Sequence, residues 1–339
     1  MNKIPHTILI SRTDSIGDVV LTLPVAAVLK QYFPQVTIGF MGKKYTRPVI
    51  EACKYVDQFV DVEDFMQNKP LLNGEPPQCI IHVLPAPMIA KRALQLGIPL
   101  RIGTTNRLYH WFTCNKMVKL SRRKSNLHEA QLNMALLKPL GIDASFSLQE
   151  LAAFACLEKL QPLPGHLACL LKKNRYNLVL HPKSQGSARE WPLENFARLI
   201  EALDDRFNIF ISGTAKEKDL MPGLFERAGH KITDITGKMS LTEFIAFINQ
   251  CDGLVANSTG PLHIAAALGK DALGLYAPLR PIDPGRWAPL GPNAQYFVMD
   301  KNCVDCKDNK VPCHCITNIP VTWLQAALDK KARNKLKQS

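Results

Sequence analysis

The strongest constraint on this chain is an alternation of short apolar runs with helix-length amphipathic stretches. Runs at 7–11, 36–40 and 79–83 lead such units, and residues 18–32 read as a helix. A short apolar run bounded by turn residues suits a strand buried on both faces. Strands alternating with helices predict a parallel sheet covered on both sides. The pattern weakens over 155–175, where two prolines and a glycine interrupt it. A second set then follows, with strands at 177–181, 207–212, 232–235, 253–257 and 272–277. Helices are expected at 193–203, 215–228, 241–249 and 261–268. The expected fold is α/β, with two Rossmann-like doubly wound domains facing a cleft, 1–165 and 176–318. A last helix at 319–339 is free to pack back on the first domain. A chain of 339 residues is long enough for two cores.

No apolar stretch reaches the roughly 18 residues of a membrane span. The N-terminal residues do not read as a signal peptide, so a cytosolic location is expected. The net charge is +13, from 42 Lys and Arg against 29 Asp and Glu, which implies an anionic partner. Its distribution is uneven. No acid lies between Glu75 and Glu129, whereas Lys91, Arg92, Arg101, Arg107, Lys116, Lys119, Arg122, Arg123 and Lys124 do. A solvated face and a polyanion-docking surface both fit that segment. A terminal cluster, Lys330, Lys331, Arg333, Lys335 and Lys337, reads as a solubilising tail. Nucleic acid is not expected, because no binding motif is present and aromatics are only 7%.

Six of the ten cysteines sit singly in apolar segments and read as small core residues. The other four, Cys303, Cys306, Cys313 and Cys315, cluster around His314. Their spacing suits zinc, although the single residue between the second pair is tight for a tetrahedral site. A loop of free thiols is the competing reading.

Three strand-to-helix segments have the composition of ligand sites. Residues 11–24, SRTDSIGDVVLTLP, place Gly17 where a tight turn is expected and two carboxylates beside it. Asp14 and Asp18 each suit a helix cap or a general base, with Asp18 favoured as the base because it follows the glycine. Residues 181–192, HPKSQGSAREWP, offer the small polar loop Ser184, Gln185, Gly186 and Ser187, then Arg189 for a diphosphate. Residues 256–269, ANSTGPLHIAAALG, bring Ser258, Thr259 and Gly260 to the start of a helix, with His263 in its first turn. Free N–H groups, hydroxyls and the helix dipole favour an anion there. None of the three is a dinucleotide or Walker fingerprint.

An ordered set of segments carries a resemblance. RTDSIGDVVLTLP, LRIG at 100–103, HEAQLNMALLKPLGI at 128–142, HPKSQGSAREWP, ISGTAKEKD at 211–219, TGKMSLTEF at 236–244 and NSTGPLHIAAALG together resemble the lipopolysaccharide core heptosyltransferases, glycosyltransferase family 9, of GT-B architecture. The resemblance implies an inverting transferase with ADP-heptose as donor and a Kdo- or heptose-bearing lipid A core as acceptor. It implies no required cofactor or metal and work at the cytoplasmic face of the inner membrane. Asp18 matches the family's general base, and Ser184, Gln185 and Arg189 its phosphate loop. Glu217, or failing it Asp219, matches the ribose acid, and Met239 the adenine pocket. Thr259, Gly260 and His263 match the diphosphate turn. Gly17, Arg101, Arg107, Arg122, Arg123 and Lys124 fall to the acceptor side. Ser258 stands where many members have Asp, and Lys183 where many have Gly. An epimerase or another nucleotide-sugar transferase, and a non-catalytic sugar-nucleotide binder, are the alternatives.

Overall fold

The computed structural model describes residues 5–142, 145–154, 156–300, 302–303 and 314–337. The chain divides into two compact units, residues 1–159 and 160–339. The first unit holds strands β1 (Thr7–Ser11), β2 (Thr37–Gly42), β3 (Gln58–Asp61), β4 (Cys79–His82), β5 (Leu100–Thr104) and β6 (Lys116–Val118). They form one parallel sheet in the order β3-β2-β1-β4-β5-β6. The second unit holds β7 (Tyr176–His181), β8 (Phe207–Ile211), β9 (Ile232–Asp234), β10 (Gly253–Asn257), β11 (Asp271–Leu275) and β12 (Ala294–Phe297). Its sheet is also parallel, in the order β12-β11-β10-β7-β8-β9. Each order is the doubly wound one, and each reverses direction beside its first strand. That reversal lies between β1 and β4 in the first unit and between β7 and β10 in the second. Ligands of such sheets bind at the carboxyl ends there.

The central strands are the ones legible as apolar runs. Every residue of β1, β7, β8 and β10 is buried. Strands β3, β5, β6 and β12 were passed over in the sequence. β3, β6 and β12 are edges, only partly buried, so neither their length nor their pattern had to be apolar. Two expected helices are each broken. Residues 18–32 become Ile16–Val20 and Leu23–Tyr32, because Thr22 Oγ1 bonds Asp18 O at 2.8 Å and Pro24 cannot continue an N–H ladder. Pro222 likewise divides 215–228 into Ala215–Lys218 and Pro222–Ala228.

The terminal helix spans Val321–Leu336. Its buried face, Leu324, Leu328 and Ala332, joins the core of the second unit with Tyr176, Phe196 and Leu199. That apolar stripe is therefore spent on the second unit. The basic tail is also less free than it read. Lys331 pairs with Asp271, and Lys335 pairs with Asp252.

Candidate functional site

The turn after β1 brings a buried guanidinium to the switch point of the first sheet. Arg12 follows the last residue of β1, and its backbone N–H bonds Met41 O on the neighbouring strand at 3.0 Å. Its side chain is 4% exposed and meets three carboxylates. Nε bonds Asp14 at 2.7 Å, Nη1 bonds Glu129 at 2.9 Å, and Nη2 bonds Asp18. Burial opposes the Arg12 charge, but Asp14, Asp18 and Glu129 outweigh it and raise its pKa further. Asp18 also accepts from Ser15 Oγ and keeps 18% of its side chain exposed. Asp14 keeps 27%, so these two carboxylates are the reachable end of a buried network.

That network closes on itself. Glu129 accepts from Arg122 Nε at 2.8 Å, and Arg122 Nη2 bonds Asn133 and Val83 O, each at 3.0 Å. Asn133 donates to Leu21 O at 3.2 Å and Thr22 Oγ1 at 3.1 Å. Thr22 in turn donates to the backbone oxygen of Asp18. Glu129 and Asn133 are fully buried. Neither carboxylate of the turn caps the helix, since the N-cap residue Ser15 makes no side-chain cap bond and both Asp14 and Asp18 are spent on Arg12. Burial pushes Asp14 up to about 6, Asp18 adds to the rise, and Arg12 opposes it. Gly17 corrects the expected tight turn. It lies inside the helix Ile16–Val20, buried, and is not among the glycines of positive φ.

In the second unit the loop after β7 turns on two successive left-handed residues, Gln185 at φ 50° and Gly186 at φ 77°. Glycine adopts such a φ freely, whereas for Gln185 it is an uncommon conformation. The loop holds an anion of its own. Glu190 accepts from Ser184 N at 2.8 Å, from Ser184 Oγ at 2.9 Å, and from Lys183 Nζ. The positive charge expected of Lys183 is therefore offset by a neighbour. Asn257, at the end of β10, ties the two loops together. Its Oδ1 accepts from Trp191 N at 2.9 Å and its Nδ2 donates to Pro182 O at 2.7 Å.

The turn after β10 starts the helix Gly260–Ala267. Thr259 is its N-cap residue, but the Thr259 side chain makes no cap bond. Its Oγ1 is buried and has no hydrogen-bond partner among the described residues. A buried hydroxyl left unpaired costs roughly 1–3 kcal/mol, so an oxygen-rich ligand is its natural complement. Ser258 hydrogen-bonds the Tyr276 hydroxyl and, with Arg189, lines a cavity of about 10 Å³. His263 is buried one turn into the helix. Glu217 is buried and forms a capping box with Thr214, its Oε2 accepting from Thr214 N at 2.7 Å. Asp219 is exposed and Met239 half-buried.

The basic residues given to the acceptor divide. Arg122 is committed to Glu129 and Asn133, and Arg101 to the carbonyls of Thr113 and Ile98. Arg107, Arg123 and Lys124 are exposed. Of the cysteine cluster, Cys306 and Cys313 lie outside the described residues. Among the described residues no group of three His, Cys, Asp or Glu is placed to hold a metal. Four residues were missed as site residues: Arg12, Glu129, Glu190 and Asn257. The signals were present, since Arg12 precedes the Asp14 and Asp18 carboxylates, Glu129 ends the acid-free stretch, and the other two stand inside the polar loops.

The chain is 24% identical over 290 residues to the lipopolysaccharide core heptosyltransferase OpsX of Haemophilus influenzae, covering 82% of this chain and 81% of that protein. The fold matches the glycosyl transferase family 9 structure from Veillonella parvula with a TM-score of 0.77 at 18% identity, covering 98% of each chain. It matches E. coli ADP-heptose lipopolysaccharide heptosyltransferase II with a TM-score of 0.76 at 20% identity, covering 97% of this chain and 99% of the other. The pattern of glycosyltransferase family 9 (heptosyltransferase) spans residues 92–316, and the chain belongs to that family.

Proposed function

We propose that this glycosyltransferase moves a heptose from ADP-heptose to a hydroxyl of the lipopolysaccharide inner core, at the cytoplasmic face of the inner membrane. The observation that carries the donor half is Thr259, whose buried, unpaired hydroxyl stands at a helix N-terminus on the switch point of the second sheet. A diphosphate oxygen satisfies that hydroxyl and the free N–H groups of Gly260–Ala267 together. Arg189, Ser258 and His263 are assigned to the same diphosphate, and Ser184 and Gln185 to its loop. Glu217 keeps Oε1 for the ribose, and Met239 lines the base. The family's ADP-heptose enzyme of like fold supports this donor.

In this reading the second unit holds the donor and the first presents the acceptor. Asp18 takes the proton from the acceptor hydroxyl as its oxygen bonds to the anomeric carbon. The bond from that carbon to the ADP oxygen breaks on the opposite face, so configuration inverts. Arg189 and the helix N-terminus stabilise the departing charge, and no step is assigned to a metal. Arg12 holds Asp18 in place and is a positioning residue. Arg107, Arg123 and Lys124 are assigned to phosphates of the acceptor.

The test is incubation with ADP-heptose and Kdo-lipid A, read by ADP release and by the mass of the lipid product. The expected result is one heptose added per ADP formed. Binding of UDP- or GDP-sugars with no response to ADP would overturn the donor assignment. ADP-heptose binding without any transfer would leave a binder.

A further inference from the structure

We infer that the helices Pro87–Gln95 and His110–Thr113 form a membrane-docking surface that sets apolar side chains among anionic lipid head groups. It deepens the proposed function and rests on it for a lipid-borne acceptor. Four large apolar side chains are more than 60% exposed among the described residues: Met88 at 66%, Leu108 at 77%, Trp111 at 61% and Phe112 at 77%. All four lie on these two helices and the turn between β5 and the second of them. The two helices pack side by side in the first unit.

The exposure is built into the backbone. His110 and Thr113 turn inward and are buried, His110 Nδ1 accepting from Thr104 N at 3.0 Å. That inward pair forces Trp111 and Phe112 outward. Trp111 Nε1 already donates to Thr105 O at 3.1 Å, so its single polar atom needs no water. An indole satisfied in this way enters an apolar boundary at little cost. On the other helix Met88, Lys91 and Gln95 are exposed at the spacing of one face.

Charge names the occupant. No acid lies between Glu75 and Glu129, and Lys91, Arg107, Lys116 and Lys119 are all exposed. Arg92 turns away, toward the carbonyls of Phe65, Gln67 and Asn68. Apolar tips on a segment with exposed lysines and arginines and no acid fit the interface of an anionic bilayer. A second copy of the chain is disfavoured, because it brings the same cations against these.

The test is co-sedimentation of the whole chain with phosphatidylcholine vesicles, with and without phosphatidylglycerol. Wild type is expected to bind the anionic vesicles and release them at high salt, with a blue shift of tryptophan emission. The double variant L108S/F112S should bind on the order of tenfold more weakly. K116E/K119E should lose binding to the anionic vesicles. W111F should keep most binding but lose most of the blue shift, which separates insertion from simple adsorption. Unchanged circular dichroism and unchanged ADP-induced thermal shift keep misfolding apart from lost docking. Equal vesicle binding by L108S/F112S and wild type overturns the inference. So does a wild-type dimer that this variant breaks, since the patch then serves self-association. Vesicle binding without sugar transfer leaves the surface standing and removes the proposed heptose transfer. Transfer without vesicle binding does the reverse.

Discussion

Arg12 and Glu129 stand 117 positions apart in the chain and form an ion pair of 2.9 Å in which both side chains are buried. The pair links the turn after β1 to the helix Glu129–Met134, and Asp18 shares the same guanidinium. Removing Glu129 takes one buried ion pair from Arg12, which keeps Asp14 and Asp18, and another from Arg122. Glu129→Ala is therefore expected to destabilise the protein by about 3–5 kcal/mol in denaturant unfolding. Glu129→Gln should recover part of the loss, because the amide oxygen still accepts from Arg12. A loss below about 1 kcal/mol for Glu129→Ala would show the network to be dispensable.

Replacing the proposed base tests the chemistry while Asp14 and Glu129 still hold Arg12. Asp18→Asn should lower heptose transfer by roughly 10²–10⁴-fold. The ADP-induced thermal shift should stay as in wild type, since Asp18 belongs to the first unit and the donor is assigned to the second. Near wild-type turnover would falsify the role of Asp18.

Thr259 gives a prediction of opposite signs. Thr259→Val removes the buried, unpaired hydroxyl and keeps the shape of the side chain. The unliganded protein should gain about 1 kcal/mol or less in stability. ADP should bind about five- to tenfold more weakly, seen by calorimetry, because one hydrogen bond to a charged group is lost. Thr259→Ser should restore the affinity. Unchanged ADP affinity in the valine variant places the diphosphate elsewhere.

Glu190 holds the place of an anion in the loop after β7, bonded to Ser184 and paired with Lys183. Glu190→Gln keeps an acceptor oxygen for Ser184 and frees the lysine charge. ADP binding is expected to tighten a few-fold, more so at low salt. Weaker binding at every salt concentration would mean that the carboxylate is needed to shape the loop.

Asp14 carries the pH dependence. Its carboxyl is raised from an ordinary value of 3.8 to about 6 by burial, so between those values the folded state holds a proton that the unfolded state has lost. Its contribution to stability is present below the lower value and is lost as pH rises through the upper one. The difference in Tm between Asp14→Asn and wild type should thus move in favour of the variant as pH rises from about 4 to about 7. A difference independent of pH would show that Asp14 titrates normally.

The parts of the site legible in the sequence are those where neighbours in the chain act together. TILIS is a buried strand because its three central residues, Ile8, Leu9 and Ile10, shun water, and the polar turn after it must then lie at the edge of the sheet. The same logic places HPKSQGS after β7 and NSTG after β10. The expected breadth of the first helix failed on a local detail, the bond from Thr22 to Asp18 O ahead of Pro24.

The sequence by itself determined two sets of strands and helices and three polar segments at strand ends. It did so because burial on both faces of a sheet demands apolar runs, and the turns between them are the places left for polar chemistry. Only the tertiary structure decided which charges answer one another. Arg12 finds Glu129 because the helix Glu129–Met134 packs against Leu23–Tyr32, in the unit whose sheet has the order β3-β2-β1-β4-β5-β6. Arg122 is lost to that buried pair, and Lys183 to Glu190, while Trp111 and Phe112 are left in solvent. Charge pairing and exposure depend on distance in space, and the spacing of residues along a chain does not encode that distance until the sheet has closed.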